Sequence, residues 1–397
     1  MKSIEQLALQ GARVFIRVDF NVPIKDGKVT DATRIRGALE TVRYARSRGA
    51  KLILASHLGR PDGKFKPELT LGPVAHELAA ALDCPVALLP DCIGPTVEQH
   101  VAAMAPGDVV LLENLRFHAE EEANDPAFAR ALAGLCDVYV NDAFGTAHRA
   151  HASTAGIVEH VGDAGAGFLL FAEVRALSTL LQSPARPFAA VVGGAKVSDK
   201  IALMRNLLAR IDDLLIGGAM AYTFLRARGV EVGASRVEEA RLDMARDLLA
   251  EAEERGVRVA LPVDHVIAQK FEESAPPSVT DGESIQQGWM GLDIGPRTRQ
   301  QYADILSRAA TVLWNGPMGV FEWSAYAAGT LAVANAVGDS HAHSVVGGGD
   351  SVAALTQSGR SGDITHISTG GGASLEFLEG KVLPGIAALD AKEGRCA

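Results

Sequence analysis

The sequence predicts an α/β fold: two similar-sized, doubly wound parallel-sheet domains joined by a bridging helix and a hinge. Three observations carry that expectation. Strand-like and helix-like patterns alternate along the whole chain, as they do when parallel sheets are wrapped by helices. The 397 residues are too many for one hydrophobic core, so two or more domains are needed. The apolar runs also end differently in the two halves. Five runs in the second half stop at glycine: Val191-Val192-Gly193-Gly194, Leu214-Leu215-Ile216-Gly217-Gly218, Val312-Leu313-Trp314-Asn315-Gly316, Val345-Val346-Gly347-Gly348-Gly349 and Ile367-Ser368-Thr369-Gly370-Gly371-Gly372. In the first half they lead into Asp19-Phe20-Asn21, His57-Leu58-Gly59-Arg60, Glu113-Asn114-Leu115-Arg116 and Asn141-Asp142. Open α/β sheets bind ligands at the carboxyl ends of their strands. Glycine there lets the backbone approach a phosphate, whereas arginine and histidine grip anions with side chains. Two sheets with two different ligands follow.

Each element has a local reason. Strands are expected at 14–18, 52–56, 86–89, 109–112 and 138–141. Ile35, Leu39, Val42 and Ala45 make a helical stripe over 34–48. Pro73 and Pro95 open helices in the first turn, and Asp125-Pro126 caps another. An apolar helix over 168–181 bridges the domains, and Pro184 and Pro187 precede the next strand, 188–192. The expected domains are 1–183 and 184–375, with 376–397 packing back on the first. The acidic stretch 272–284, with Pro276-Pro277, reads as a surface loop.

Bulk properties exclude several classes of function. A net charge of −10 argues against a nucleic-acid partner. No apolar run reaches the ~18 residues of a membrane helix, and the first residues lack a signal-peptide core. Cys84, Cys92, Cys136 and Cys396 show no metal-ligand spacing and read as free thiols in a reducing compartment. A cytoplasmic monomer is expected.

Arg34, Arg60, Arg116 and Arg149 fall at strand ends or first helical turns, accompanied by His57, His148 and His151. Taken singly, each arginine reads as a solvated surface charge. Gathered at one sheet edge in an acidic protein, they suit a small, multiply charged anion. Asp19 and Asn21 suit hydroxyl groups. Arg17, flanked by apolar residues inside a strand, reads as a structural ion-pair partner.

In the second half, Gly193-Gly194-Ala195-Lys196-Val197-Ser198-Asp199-Lys200 follows a strand and is expected to open a helix. That places Lys196 and Lys200 on one helical face. Asp350, after Gly347-Gly348-Gly349, fits either a first-turn carboxylate or a Mg²⁺ ligand. Glu322 fits either a ribose contact or a solvated acid. Five glycine turns with two lysines and one acid favour a nucleotide, and two ligands on two lobes suggest phosphoryl transfer. A dinucleotide oxidoreductase would want Gly-x-Gly-x-x-Gly after its first strand, which is absent. A non-catalytic nucleotide sensor would not need a second anion site.

Several blocks, in order along essentially the whole chain, resemble the phosphoglycerate kinase family. They are Arg13–Pro23, Ser56–Pro61, Glu113–Phe117, Asn141–His151, Gly193–Lys200, Asn315–Glu322, Gly347–Asp350 and Gly370–Ser374. Tyr326 and Ser351 are mild variations. The resemblance implies reversible transfer of the acyl phosphate of 1,3-bisphosphoglycerate to MgADP on Rossmann-like domains. It further implies that Asp19 and Asn21 hold the glycerate and that His57, Arg60, Arg116 and Arg149 hold its non-transferring phosphate. Arg34 and Lys196, with the N–H groups of Gly371 and Gly372, would act on the moving phosphoryl group. Gly194, Lys200, Gly217, Gly218, Asn315, Glu322, Gly348, Gly349, Asp350 and Ser351 would make the nucleotide site, with Asp350 on Mg²⁺.

Overall fold

The computed structural model describes residues 1–396. The chain divides into two compact units, Met1–Arg175 with Val382 onward, and Ala176–Lys381.

The first unit contains strands β1 (Arg13–Arg17), β2 (Ile24–Lys25), β3 (Lys28–Val29), β4 (Lys51–Ala55), β5 (Ala87–Leu88), β6 (Val109–Leu111), β7 (Val138–Asn141) and β8 (Asp163–Ala166). Its helices are α1 (Thr33–Ser47), α2 (Gly72–Leu82), α3 (Pro95–Ala103), the short α4 (Ala119–Glu122) and α5 (Pro126–Gly134). β2 and β3 make a small hairpin. The other six strands form one sheet in the order β5-β6-β4-β1-β7-β8, with every pair parallel. β1 and β4 are buried on both faces past their first residues, because helices cover both sides of a doubly wound sheet. Ile35, Leu39 and Val42 of α1 join Val14, Ile16, Leu52 and Leu54 in the main core. Asp125 caps α5 as expected, accepting from the Ala127 and Phe128 amides at 2.8 and 2.9 Å.

α6 (Phe168–Gln182) carries the chain into the second unit. There follow β9 (Phe188–Val192), α7 (Ile201–Leu208), β10 (Asp213–Ile216), α8 (Met220–Ala227), α9 (Leu242–Glu254), β11 (Arg258–Ala260), β12 (His265–Ala268), β13 (Ser278–Val279) and β14 (Met290–Ile294). The unit is completed by α10 (Pro296–Leu306), β15 (Thr311–Asn315), α11 (Ala328–Asp339), β16 (His343–Gly347), α12 (Gly349–Ser358), β17 (His366–Ile367) and α13 (Gly372–Leu378). The sheet order is β11-β10-β9-β15-β16-β17, again wholly parallel. All five glycine-ended strands are therefore consecutive neighbours. The last helix, α14 (Pro384–Cys396), packs on β8 in the first unit.

Three expectations change. β8, Asp-Ala-Gly-Ala, has no β-branched residue and left no strand pattern, yet it pairs with β7 at the sheet edge. The 272–284 stretch is not only loop: β13 pairs antiparallel with β12 in a separate three-stranded sheet, β13-β12-β14. The helix expected to open at Gly193 begins only at Ile201, for a reason given below. Cys84 is partly buried, Cys92 and Cys136 are buried, and all three are free. The Cys396 side chain lies outside the described residues.

Candidate active-site residues

In the first unit the loops after β1, β4, β6 and β7 meet at the carboxyl edge of the sheet. Asn21 Oδ1 accepts from the Gly59 amide at 2.9 Å, tying the first loop to the second. Arg34 Nη1 binds both Asp19 carboxylate oxygens, at 3.1 and 3.0 Å, and the Asn21 carbonyl at 3.2 Å. Arg116 is buried and donates Nη1 to the Gly59 carbonyl at 2.8 Å, with Glu122 3.0 Å from its Nε. Arg60, beside Gly59, is exposed. Arg149 is partly buried, with Nε 3.2 Å from His148 Nε2.

His57 and His151 are buried at this edge and held neutral. His57 lies well below the usual imidazole range, through burial first and then the Arg17, Arg116 and Arg34 charges. His151 is pushed down to about 3 by burial, with Arg116, Arg17 and Arg149 adding to the effect. They present hydrogen-bonding imidazoles among arginines. A pKa near 3 makes His151 a poor general base at neutral pH.

Several contacts of this edge carried no clear sequence signal. Arg17 is fully buried and does not form the expected direct ion pair. It donates to Ser153 Oγ at 2.8 Å and to the Val18 carbonyl, with His57 Nδ1 at 3.3 Å. Ser153 Oγ in turn donates to the buried Glu121 carboxylate at 2.6 Å. Asn114 is the hub of the β4 and β6 loops. It accepts from the Leu58 and Arg116 amides and donates to the Leu58 and Leu69 carbonyls. Glu113 accepts from the Thr70 hydroxyl at 2.5 Å and from the Leu71 amide at 2.9 Å. The Glu-Asn-Leu-Arg block had pointed only to its arginine. Its first two residues build the shelf on which Arg116 lies.

In the second unit the glycine turns interlock. The Gly193 amide donates to Asn315 O, Gly194 to Pro317 O and Gly218 to Met318 O, at 2.9–3.1 Å. A Cβ on Gly193 would lie 2.1 Å from Pro317 O, and one on Gly316 2.3 Å from Gly193 O. Backbone thus packs on backbone where a side chain would intervene. Gly217 is buried against Met318. Ser351 is buried and accepts from the Gly316 amide at 2.6 Å, while Asn315 Nδ2 donates to Gly347 O at 3.0 Å. Gly348, with φ +94°, is the N-cap of α12 and leaves Gly349 and Asp350 in the exposed first turn. Gly371, with φ +55°, caps α13, and it and Gly372 are exposed.

Lys196 and Lys200 do not share a helical face. Glu238 takes up the backbone between them, accepting from the Val197 and Ser198 amides at 2.5 and 3.2 Å and from the Ser198 hydroxyl at 2.9 Å. With those amides engaged, Lys196 lies exposed in the turn and Lys200 becomes the N-cap residue of α7. Burial pulls the Lys200 ammonium down to about 8, and Asp350, Asp199 and Glu379 partly offset it.

These turns open on a cavity of about 510 Å³, lined by Gly194, Gly218, Glu322 and Asp350. Its other lining was not legible in the sequence. Tyr222 of α8, Met290 to Leu292 of β14 and Phe271 also line it. Phe271 is 62% exposed and tilts against Trp323 at 4.7 Å between ring centroids. A cavity this apolar, with phosphate-compatible turns and acids at its rim, suits a nucleotide's base and ribose. Asp350 is one exposed carboxylate beside it. Such a donor fits Mg²⁺, which takes one or two carboxylates and fills its shell with phosphate oxygens and water.

The phosphoglycerate kinase family model matches residues 4–381. The chain belongs to the phosphoglycerate kinase family. It is 57% identical to the phosphoglycerate kinase of Moorella thermoacetica over 390 residues, covering 98% of this chain and 99% of the relative. It is 54% identical to that of Koribacter versatilis over 399 residues, covering 98% and 99%. Among solved structures, the phosphoglycerate kinase of Coxiella burnetii matches with a TM-score of 0.92 and 44% identity over 98% of this chain and 99% of that one. That of Pyrococcus horikoshii OT3 matches with a TM-score of 0.85 and 35% identity, covering 100% of both chains. The family's kinase reaction uses a nucleotide and a small-molecule acid as substrates, in keeping with two dissimilar strand edges. No helix is long and apolar enough to cross a membrane among the described residues.

Proposed function

We propose that the chain is an ATP:3-phosphoglycerate phosphotransferase. It moves the acyl phosphate of 1,3-bisphosphoglycerate reversibly to MgADP, giving 3-phosphoglycerate and MgATP, by direct in-line transfer. The contrast between the strand edges carries the division of labour. Arginines and neutral histidines crowd the first unit's edge, whereas the second unit offers glycine turns around an apolar cavity.

On this reading Asp19 and Asn21 hold the glycerate hydroxyl and carboxyl region. Asn21 offers its amide N–H₂, since its Oδ1 is already engaged by Gly59. Arg60, Arg116, Arg149 and His57 clamp the phosphate that stays. Guanidinium forks match its oxygens, and an anion repays the repulsion among these cations. Arg34 is exposed enough to leave Asp19 and meet the reacting end. Gly194, Gly217 and Gly218 wall the adenosine, Glu322 meets the ribose, and Asn315, Gly348, Gly349 and Ser351 shape the turns by the phosphates. Lys200 holds nucleotide phosphates, and Lys196 follows the phosphoryl group in transit. The Gly371 and Gly372 amides, fixed at the start of α13, face the charge that develops on its oxygens. Asp350 would hold the Mg²⁺, which neutralises phosphate charge when bound.

Phosphoryl transfer needs positioning and charge neutralisation rather than a covalent nucleophile. Donor and acceptor atoms must come to about 3–3.5 Å with water excluded. With the acid on domain 1–183 and the nucleotide on 184–375, closure is required, and Pro184–Pro187 and Thr369–Gly372 are assigned to the hinge. One copy carries both edges, so a single chain suffices for the reaction, and we assign the active form as a monomer in the cytoplasm. A coupled assay with ATP, Mg²⁺ and 3-phosphoglycerate tests the proposal. Turnover that saturates in both substrates is expected. Nucleotide binding without 3-phosphoglycerate-dependent turnover would sink it.

A further inference from the structure

Away from these residues, the first unit carries a second cluster of ligand-type side chains. Asp91 and Cys92 follow β5, and His118 follows β6 after one 3₁₀ turn, Leu115–Phe117. β5 and β6 are paired neighbours, and the Glu113 amide donates to the Asp91 carbonyl at 3.4 Å, so the two loops leave the sheet side by side. One ligand atom from each of Asp91, Cys92 and His118 lies within 4.8 Å of the other two.

We propose that Asp91, Cys92 and His118 bind a borderline-soft divalent transition-metal ion of the zinc class. The donor types select the ion. A thiolate and an imidazole with one carboxylate suit Zn²⁺ or Co²⁺, whereas Mg²⁺ and Ca²⁺ take oxygen donors. Three protein ligands leave a fourth tetrahedral position for water or a solute. The cluster is preorganised. Asp91 Oδ1 accepts from the Cys92 amide at 2.7 Å and lies 2.7 Å from His118 Nε2. The His118 ring packs beside Phe128, 5.3 Å between centroids. Cys92 is buried, while the His118 and Asp91 side chains are 26% and 49% exposed, so solvent reaches the cluster through those two.

Binding forms one metal–sulfur, one metal–nitrogen and one metal–oxygen bond. The Cys92 thiol gives its proton to solvent. His118 stays neutral, with its ring hydrogen on Nδ1, and the hydrogen bond to Asp91 is replaced by the ion. His118 lies two residues beyond Arg116, so the ion would fasten the turn that carries this arginine. The site is separate in both place and donor chemistry from the magnesium ligand assigned to Asp350.

The test titrates the full chain with Co²⁺ in the presence of excess Mg²⁺. One Co²⁺ per chain should bind, with a near-ultraviolet thiolate-to-cobalt absorption that Zn²⁺ abolishes by displacement. Cys92→Ala should lose the absorption, and His118→Ala should weaken Co²⁺ binding at least tenfold. His118 is partly exposed, so His118→Ala keeps the test open if loss of the buried thiol impairs folding. No thiolate band at submillimolar Co²⁺ overturns the proposal. So does a band that survives in folded Cys92→Ala, or Co²⁺ binding unchanged in folded His118→Ala.

Discussion

Lys196 stands exposed in the turn after β9, its backbone neighbours held by Glu238. A side chain so placed has little structural work, so its removal should act on chemistry. Lys196→Ala is expected to lower kcat by 10²-fold or more, on the order of 3 kcal/mol, with the thermal midpoint unchanged. Steady-state kinetics with both substrates saturating decides, and a near-normal kcat would return Lys196 to the role of a solvated charge. Lys200 differs because burial brings it down to about 8. A bound phosphate favours its charged form, so nucleotide affinity should hold below pH 8. Above that pH it should fall by up to about tenfold per pH unit as the free protein loses the charge. Calorimetric titration from pH 7 to 9.5 measures this, and a flat profile would deny Lys200 the phosphate contact. His151 acts on stability. Its folded pKa, near 3, lies below the unfolded value of about 6.5. As pH falls below 6.5 the unfolded chain takes up a proton that the native state refuses, and stability drops by about 1.4 kcal/mol per pH unit. Between pH 6 and 5, urea unfolding of His151→Gln should therefore show a slope shallower by that amount than the parent's.

Among the elements, α6 shows how a terminus is built from a distance. Asp142, at the end of β7, accepts from the Leu169 and Leu170 amides at 3.0 and 3.2 Å, which satisfies the start of the helix. The carboxyl is deeply buried and pushed up to about 7, burial outweighing those hydrogen bonds. Asp142→Ala removes a cap and leaves buried amides unpaired, so a loss of about 1–3 kcal/mol is expected in urea unfolding. A change below 0.5 kcal/mol would mean that α6 does not depend on this cap. Strand β9, Phe188–Val192, was legible to the residue, because an apolar run ending in two valines and bounded by Pro187 and Gly193 has one reading. β8 was not, since an Asp-Ala-Gly-Ala strand is specified by its neighbour β7 and not by its own propensity. The helix expected from Gly193 starts only at Ile201. Its local pattern was helical, but a carboxylate 41 positions later captured the amides a first turn would use.

At the scale of the whole molecule, the buried titratable groups pull in opposite directions. His57, His151 and His265 are held below their ordinary values by burial and disfavour the native state as pH falls below 6.5. Asp142 and Asp293 are raised to about 7 by burial. From pH 3.8 up to 7 the unfolded chain ionises these two acids while the native state keeps them neutral, so their contribution is lost as pH rises. Closure is the other molecular-scale expectation. Small-angle scattering should show a smaller radius of gyration with 3-phosphoglycerate and a non-hydrolysable ATP analogue together than with neither. Identical profiles would remove the support for closure.

Periodicity and strand endings were enough to determine the fold class, the succession of the principal strands and the separation of an arginine edge from a glycine edge. Those signals are local: a strand's last residues and a helix's first turn lie next to each other in the chain. Only the tertiary structure decided how each edge is wired. Arg17 meets Ser153 across 136 positions, and Ser153 meets Glu121 across 32. β14, whose Met290 to Leu292 line the second unit's cavity, is held by antiparallel pairing with β12. The neutrality of His57 and His151 arises from burial among arginines brought from separate loops. Desolvation and charge proximity depend on distance in space, and that distance is set when the two sheets are complete.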